Sequence, residues 1–147
     1  MIINKNGKQL ETSGYKNYKV LSGTIDNKNP KALYLTISAW GETITDDNVN
    51  YNNVFKSIIK EIKKQINFNI NQNLFYNERC IVDFDMRESG ISFGKKSFMN
   101  CEITLYQKNQ FKIQEKLIQK ELKNITDFVI NEILEKNEYF KFTKTKN

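Results

Sequence analysis

The chain has 147 residues, of which 39% are hydrophobic, 12% aromatic and 27% charged, enough for one self-supporting core and too apolar for a disordered chain. Lysine and arginine number 23 against 17 acids, for a formal charge of +6, and histidine is absent. That absence excludes Ser-His-Asp and Cys-His catalysis, histidine general bases and histidine-bearing metal sites; no Walker loop, GxGxxG or CxxC motif occurs either.

The first forty residues read as strands. Asn4-Lys5-Asn6-Gly7 is a turn signal between the short runs Met1–Ile3 and Lys8–Thr12. Tyr15 to Ile25 is rich in aromatic and β-branched residues, and Asp26 to Pro30, with the single proline, breaks it. Residues 1–30 are expected to form an N-terminal β extension. Lys31 to Trp40 then alternates with period two: Leu33, Leu35, Ile37 and Ala39 on one face, Tyr34, Thr36, Ser38 and Trp40 on the other. Thr45 to Asn48 supplies capping residues, and Tyr51, Phe55, Ile58, Ile59, Ile62 and Ile66 recur at helical spacing over about 48–67.

Asn67 to Asn77 holds five asparagines in eleven residues and reads as the main internal loop. Arg79 to Arg87 is the next strand, with Cys80, Val82, Phe84 and Met86 inward. Glu88-Ser89-Gly90 is a turn, Ile91 to Phe93 a short returning strand, and Gly94 to Ser97 a second turn. Phe98 to Tyr106 follows, with Met99, Cys101, Ile103 and Leu105 inward. A long helix spans about 110–136, striped by Leu117, Ile118, Leu122, Ile125, Val129 and Ile133. Tyr139, Phe140 and Phe142 suggest a terminal strand, and residues 143–147 form a basic tail.

This order specifies a single α+β domain: an antiparallel sheet with two long helices on one face, a split β-α-β-β-α-β-like core and an N-terminal β-hairpin extension. Two β-sheet-then-helix halves are the alternative. Cys80 and Cys101, set among apolar neighbours, are expected to be reduced core thiols, and no run approaches the length of a membrane span. With no secretory stretch behind Met1, a cytoplasmic location is expected.

With both helices on one face, the other carries Tyr34, Trp40, Phe98 and Tyr106, aromatic rings suited to stacking bases, and Lys95 and Lys96 at the adjoining turn are suited to phosphates. Lys56, Lys60, Lys63 and Lys64 form a basic stripe on the first helix, which would neutralise phosphates or simply face solvent. The 21 lysines, 20 asparagines and 18 isoleucines also fit A/T-rich coding, so part of the positive charge has a compositional origin. Phe93-Gly94-Lys95-Lys96-Ser97-Phe98 departs from the RNA-recognition run of alternating glycine and aromatics at most positions.

Asp83 and Asp85 share that face, with Glu102 and Glu88 near, a carboxylate set that would hold Mg²⁺ if the acids converged. Arg79 and Arg87, the only two arginines, bracket the strand and offer ion pairs to those acids instead. The expected function is a non-enzymatic protein that binds single-stranded DNA or RNA on an aromatic sheet face, without a cofactor. The first alternative is a homo-oligomeric structural or assembly subunit, of a phage or a low-GC bacterium, using the same face as a protein interface. The second is a carboxylate-metal nuclease.

Overall fold

The computed structural model describes residues 5–9, 15–25, 32–42, 49–70, 73–76, 79–89, 96–108 and 115–139. In chain order these form β1 (Lys5–Gln9), β2 (Tyr18–Ile25), β3 (Ala32–Glu42), α1 (Tyr51–Asn69), β4 (Ile81–Ser89), β5 (Lys96–Tyr106) and α2 (Glu115–Phe128). The five strands make one sheet in the order β1-β2-β3-β5-β4, and every neighbouring pair is antiparallel. Since β3 and β4 both run against β5, they run parallel to each other, and only a crossover such as α1 can join them.

Period-two alternation decides which side of each strand is buried. Tyr18 and Val20 of β2, Leu33, Leu35, Ile37 and Ala39 of β3, Val82 and Phe84 of β4, and Met99, Cys101, Ile103 and Leu105 of β5 all enter one core. Ile58, Ile62 and Ile66 of α1 and Leu122 and Ile125 of α2 close it from above. Both helices thus cover a single face of an α+β sheet. Phe55 of α1 packs on Phe84 of β4 with ring centroids 5.2 Å apart, anchoring the crossover beside the outermost strand.

The split β-α-β-β-α arrangement has its expected N-terminal extension, and that extension takes the seat beside β3. β2 pairs with β3 along its whole length, from Tyr18 opposite Ala39 to Ile25 opposite Ala32. A closing strand after α2 therefore has no edge of β3 to join; Tyr139 lies in a bend, and 140–142 lie outside the described residues.

Other boundaries moved for local reasons. Lys5 to Gly7 of the expected turn are instead part of β1, whose Asn6 and Gly7 pair with Thr24 and Gly23, so tertiary pairing overrides the turn signal; Asn4 lies outside the described residues. Met1–Ile3, most of Lys8–Thr12 beyond Gln9, Ile91–Phe93 and the tail at 143–147 lie outside the described residues. α1 is capped by Asn50, whose side chain accepts from the Asn53 N–H at 3.4 Å; the capping run at 45–48 is outside the described residues. α1 runs on to Asn69, so the asparagine-rich loop begins as helix, and in its second half Phe75 is fully buried and bridges to Gln107. Arg79 precedes β4 rather than starting it.

The second helix ends differently from its first turns. Thr126 is fully buried, and its Oγ1 donates to the Leu122 carbonyl one turn back, at 2.7 Å. Such a bond satisfies a hydroxyl with no other partner available inside the core. Just beyond, Val129–Leu134 winds as a π-helix, and the Glu135 N–H donates to Ile130 O at 2.8 Å. Val129, Ile130, Ile133 and Leu134 are all buried along this wider turn.

Three titratable groups are held neutral by this core. Burial pushes the Cys101 thiol up to about 12, helped by the nearby charges of Asp83 and Glu102. Burial pushes Cys80 to about 11, opposed by Lys63. The Tyr18 phenol is raised by burial, then by the charge of Glu135 and a hydrogen bond to it. All three bind their protons more tightly folded than unfolded, so the unfolded chain releases protons first as the pH rises. Folding stability is expected to hold steady up to about pH 9 and to fall progressively above it, read by urea unfolding over an alkaline series. Stability that rises above pH 9 would contradict the burial of these groups.

Candidate functional site

The face of the sheet turned away from the helices carries the alternate residues of every strand, and pairing register arranges them in rows. At one end Trp40 sits opposite Phe98, which sits opposite Arg87. Next come Ser38, Asn100 and Asp85, then Thr36, Glu102 and Asp83, then Tyr34, Thr104 and Ile81. The far end is Ala32 opposite Tyr106. Three zones result: an aromatic-guanidinium corner, a polar and acidic middle, and an apolar end.

At the corner Trp40 is 45% exposed, while Phe98 is half-buried against it. Their rings meet edge to face, with centroids 5.4 Å apart and planes at 61°. This geometry lets the positive ring edge of one meet the negative face of the other, and it leaves part of the indole open to solvent. Gly41, directly after Trp40 and one residue before the end of β3, has φ of 150°, a conformation that residues bearing a Cβ avoid. Arg87 is exposed, and its Nε donates to Asp85 Oδ2 at 2.9 Å. Among the described residues no other group engages the remaining guanidinium donors.

In the middle zone Asp83 lies directly opposite Glu102, a like-charge pairing that costs stability unless countercharge is near. Ser38 Oγ donates to Asn100 Oδ1 at 2.9 Å across the β3–β5 seam. Among the described residues no group of three or more carboxylates or thiols is placed to hold a metal ion. Asp85 is engaged by Arg87 along its own strand, and Arg79 takes no part in the sheet: it lies over the Tyr76 ring at 5.3 Å. Among the described residues the ion pairing expected from the two arginines thus reduces to one exposed pair.

The far end corrects an expectation. Tyr34 is only 7% exposed, forming a small second core with Ile25 and Ala32, against which the half-buried Tyr106 packs. Pairing of Ile25 with Ala32, and of Gly23 with Tyr34, explains it: the hairpin brings an apolar side chain beside the ring and a glycine opposite it. Tyr34 is therefore a packing residue, and Tyr106 is largely one.

The lysines of α1 fall elsewhere. Lys56, Lys60, Lys63 and Lys64 are all exposed on α1, in the helical layer, with the sheet between them and Trp40. No ion pair engages them among the described residues. Lys96 begins β5 opposite Glu42 and Ser89, in the row adjoining Trp40, Phe98 and Arg87 on the same side of the sheet, and Lys95 lies outside the described residues. Aromatic rings and lysine stripe thus belong to two surfaces rather than one.

Two exposed apolar residues went unmarked in the sequence. Ile81 is 53% exposed on the open face, and the parity that places Val82 and Phe84 inward gives it away. Phe68 is 85% exposed in the last turn of α1, beyond the expected helix end. Between the helices, Gln65, Ile66, Glu121, Asn124, Ile125 and Phe128 line a groove of about 330 Å³. No helix among the described residues is long and apolar enough to cross a membrane.

Trp40 is the only tryptophan in the chain, so intrinsic indole fluorescence reports the corner alone. Acrylamide is expected to quench the folded protein strongly, and Phe98→Ala to raise that quenching while costing about 1–3 kcal/mol of stability through the lost edge contact and burial. Emission shielded from acrylamide in the folded state would place the indole under another segment. No family model matches the sequence, no curated protein is significantly similar to it, and no solved structure matches it.

Proposed function

We propose that this is a small non-enzymatic binding protein that captures single-stranded DNA or RNA at the Trp40–Phe98–Arg87 corner of its open sheet face. The observation that carries this reading is the half-exposed indole in one row with a second aromatic ring and a guanidinium. A base stacked on an aromatic ring gains about 1–3 kcal/mol whatever its identity, and a planar guanidinium both stacks and grips phosphate. The acids of the middle zone oppose a strand laid across the whole face. Capture is therefore confined to one or two nucleotides at the corner, with the acidic strip turning the rest of the strand aside. The overall charge of +6 and the unpaired lysines of α1 contribute at long range, raising the encounter rate with any polyanion.

A second reading, a structural or assembly subunit with this face against another protein, draws on exposed Ile81 and the acidic strip. Tryptophan, phenylalanine and arginine at a patch centre also suit a protein hot spot. Fluorescence titration separates the two. Oligo-dT or oligo-U is expected to quench Trp40 emission, with an affinity that falls steeply as salt rises. Trp40→Ala is expected to weaken binding about 5- to 150-fold, the span of one lost stack, and Arg87→Ala to flatten the salt slope by about one. Glu substitutions at Lys60 and Lys63 are expected to slow association without changing the quench. If neither oligonucleotide alters the emission at low salt, the nucleic-acid reading fails and the assembly reading stands.

A further inference from the structure

β4 ends the sheet, so one of its two backbone edges faces outward. Among the described residues no strand pairs with that edge. A bare edge is a template for another strand unless something blunts it: shortness, a bulge, a proline or a covering segment. β4 has nine residues, pairs one-to-one with β5 from Ile81 to Ser89 with no bulge, and contains neither proline nor glycine. Among the described residues its remaining device is charge. Asp83, Asp85 and Arg87 are all exposed on the open face, the side chains of Arg87 and Asp85 by 79% and 50%.

Those charges repel some partners and select one. In an antiparallel two-fold pairing of β4 with itself, the register is named by the residue on the axis, and five registers bring Asp83, Asp85 and Arg87 together. Centred on Asp83, that carboxylate meets its own copy. Centred on Phe84, Asp83 meets Asp85 twice. Centred on Asp85, that carboxylate meets its own copy. Centred on Arg87, two guanidiniums meet. Centred on Met86, Asp85 meets Arg87 of the partner subunit and Arg87 meets Asp85 of the partner subunit, while Asp83 faces Ser89 of the partner subunit. Only this last register sets no like charges directly opposite one another.

The geometry points to a symmetric homodimer in which β4 pairs antiparallel with a second copy of itself about Met86, joining two five-stranded sheets into one of ten. Each Arg87, already bonded to its own Asp85 at 2.9 Å, then lies between two carboxylates. The four groups alternate in sign around a closed square. The pairing is isologous, so it closes at two copies and offers no further β4 edge. Half-buried Met86, on the helix side of the strand, sits on the axis and is covered by its counterpart. The inference does not rest on nucleic-acid binding and extends to the assembly reading only by naming its edge and symmetry.

Sedimentation and light scattering over a concentration series test it. The expected result is a monomer–dimer equilibrium, with β4 amides slower to exchange hydrogen as dimer accumulates. Arg87→Asp is expected to weaken dimerisation at least tenfold. The double variant Asp85→Arg with Arg87→Asp restores it, since the charges alternate again and the pair within each chain is kept. Lys19→Asp, the same charge change on β2, is expected to leave dimerisation as it was. Circular dichroism of each variant distinguishes a lost dimer from a lost fold, and the double variant remains decisive if the single one unfolds. A protein that stays monomeric to its solubility limit, a dimer indifferent to Arg87→Asp, or an oligomer larger than two would overturn the proposal.

Discussion

The pairing of β3 with β5, eleven residues on each strand and in continuous register from Ala32–Tyr106 to Glu42–Lys96, is the constraint on which the molecule depends. Side chains alternate across a strand, so this one register decides at once that Leu35, Ile37, Cys101 and Ile103 meet the helices and that Trp40, Asn100 and Glu102 do not. A slip by a single residue would drive Glu102 and Thr104 into the core and expose a row of isoleucines and leucines. The penalty for burying an unpaired carboxylate makes that alternative inaccessible. The open face is therefore a consequence of the core, and its composition is whatever the core did not require.

What the core left on that face is uneven, and the unevenness has a physical cause. Toward the β2–β3 hairpin the chain supplies Ile25 and Ala32, so the large ring of Tyr34 finds apolar neighbours and is withdrawn from solvent. Toward the other end of β3 the strand finishes at Gly41 and Glu42, and among the described residues Trp40 leans on the ring of Phe98. One aromatic position thus became packing and the other stayed available, although both occupy equivalent places in the alternation. The intervening carboxylates divide the two ends, so the face cannot act as one broad aromatic platform.

The sequence made the layers legible because they follow from short-range periodicity. The inward residues of β3, β4 and β5 and the stripe Ile58, Ile62, Ile66 are all read by counting twos or threes and fours. Less legible was anything that depends on a distant neighbour. Asn6-Gly7 looks like a turn until β2 lies beside it, and Tyr34 looks exposed until Ile25 is placed next to it. Phe75 looks like loop until its bridge to Gln107 is known.

The same distinction explains why β4 tolerates the charges it carries. Asp83 lies directly opposite Glu102, a like-charge pairing that a strand pair keeps only where solvent or countercharge offsets it. At the sheet's rim the cost is softened by solvent, and the acids acquire a use: they deter unrelated strands from adding to a long, straight edge. Yet a purely acidic edge would repel its own copy as well, and Arg87 breaks that symmetry. In the proposed dimer, one arginine two residues beyond Asp85 turns a uniformly repulsive edge into one that sets opposite charges, and no like ones, together in a single register. Lysine, whose ammonium concentrates its charge on a single nitrogen, would serve less well between two carboxylates than a planar guanidinium with five donors. In a chain with 21 lysines and two arginines, the residue at position 87 is thus the one whose chemistry the edge most requires.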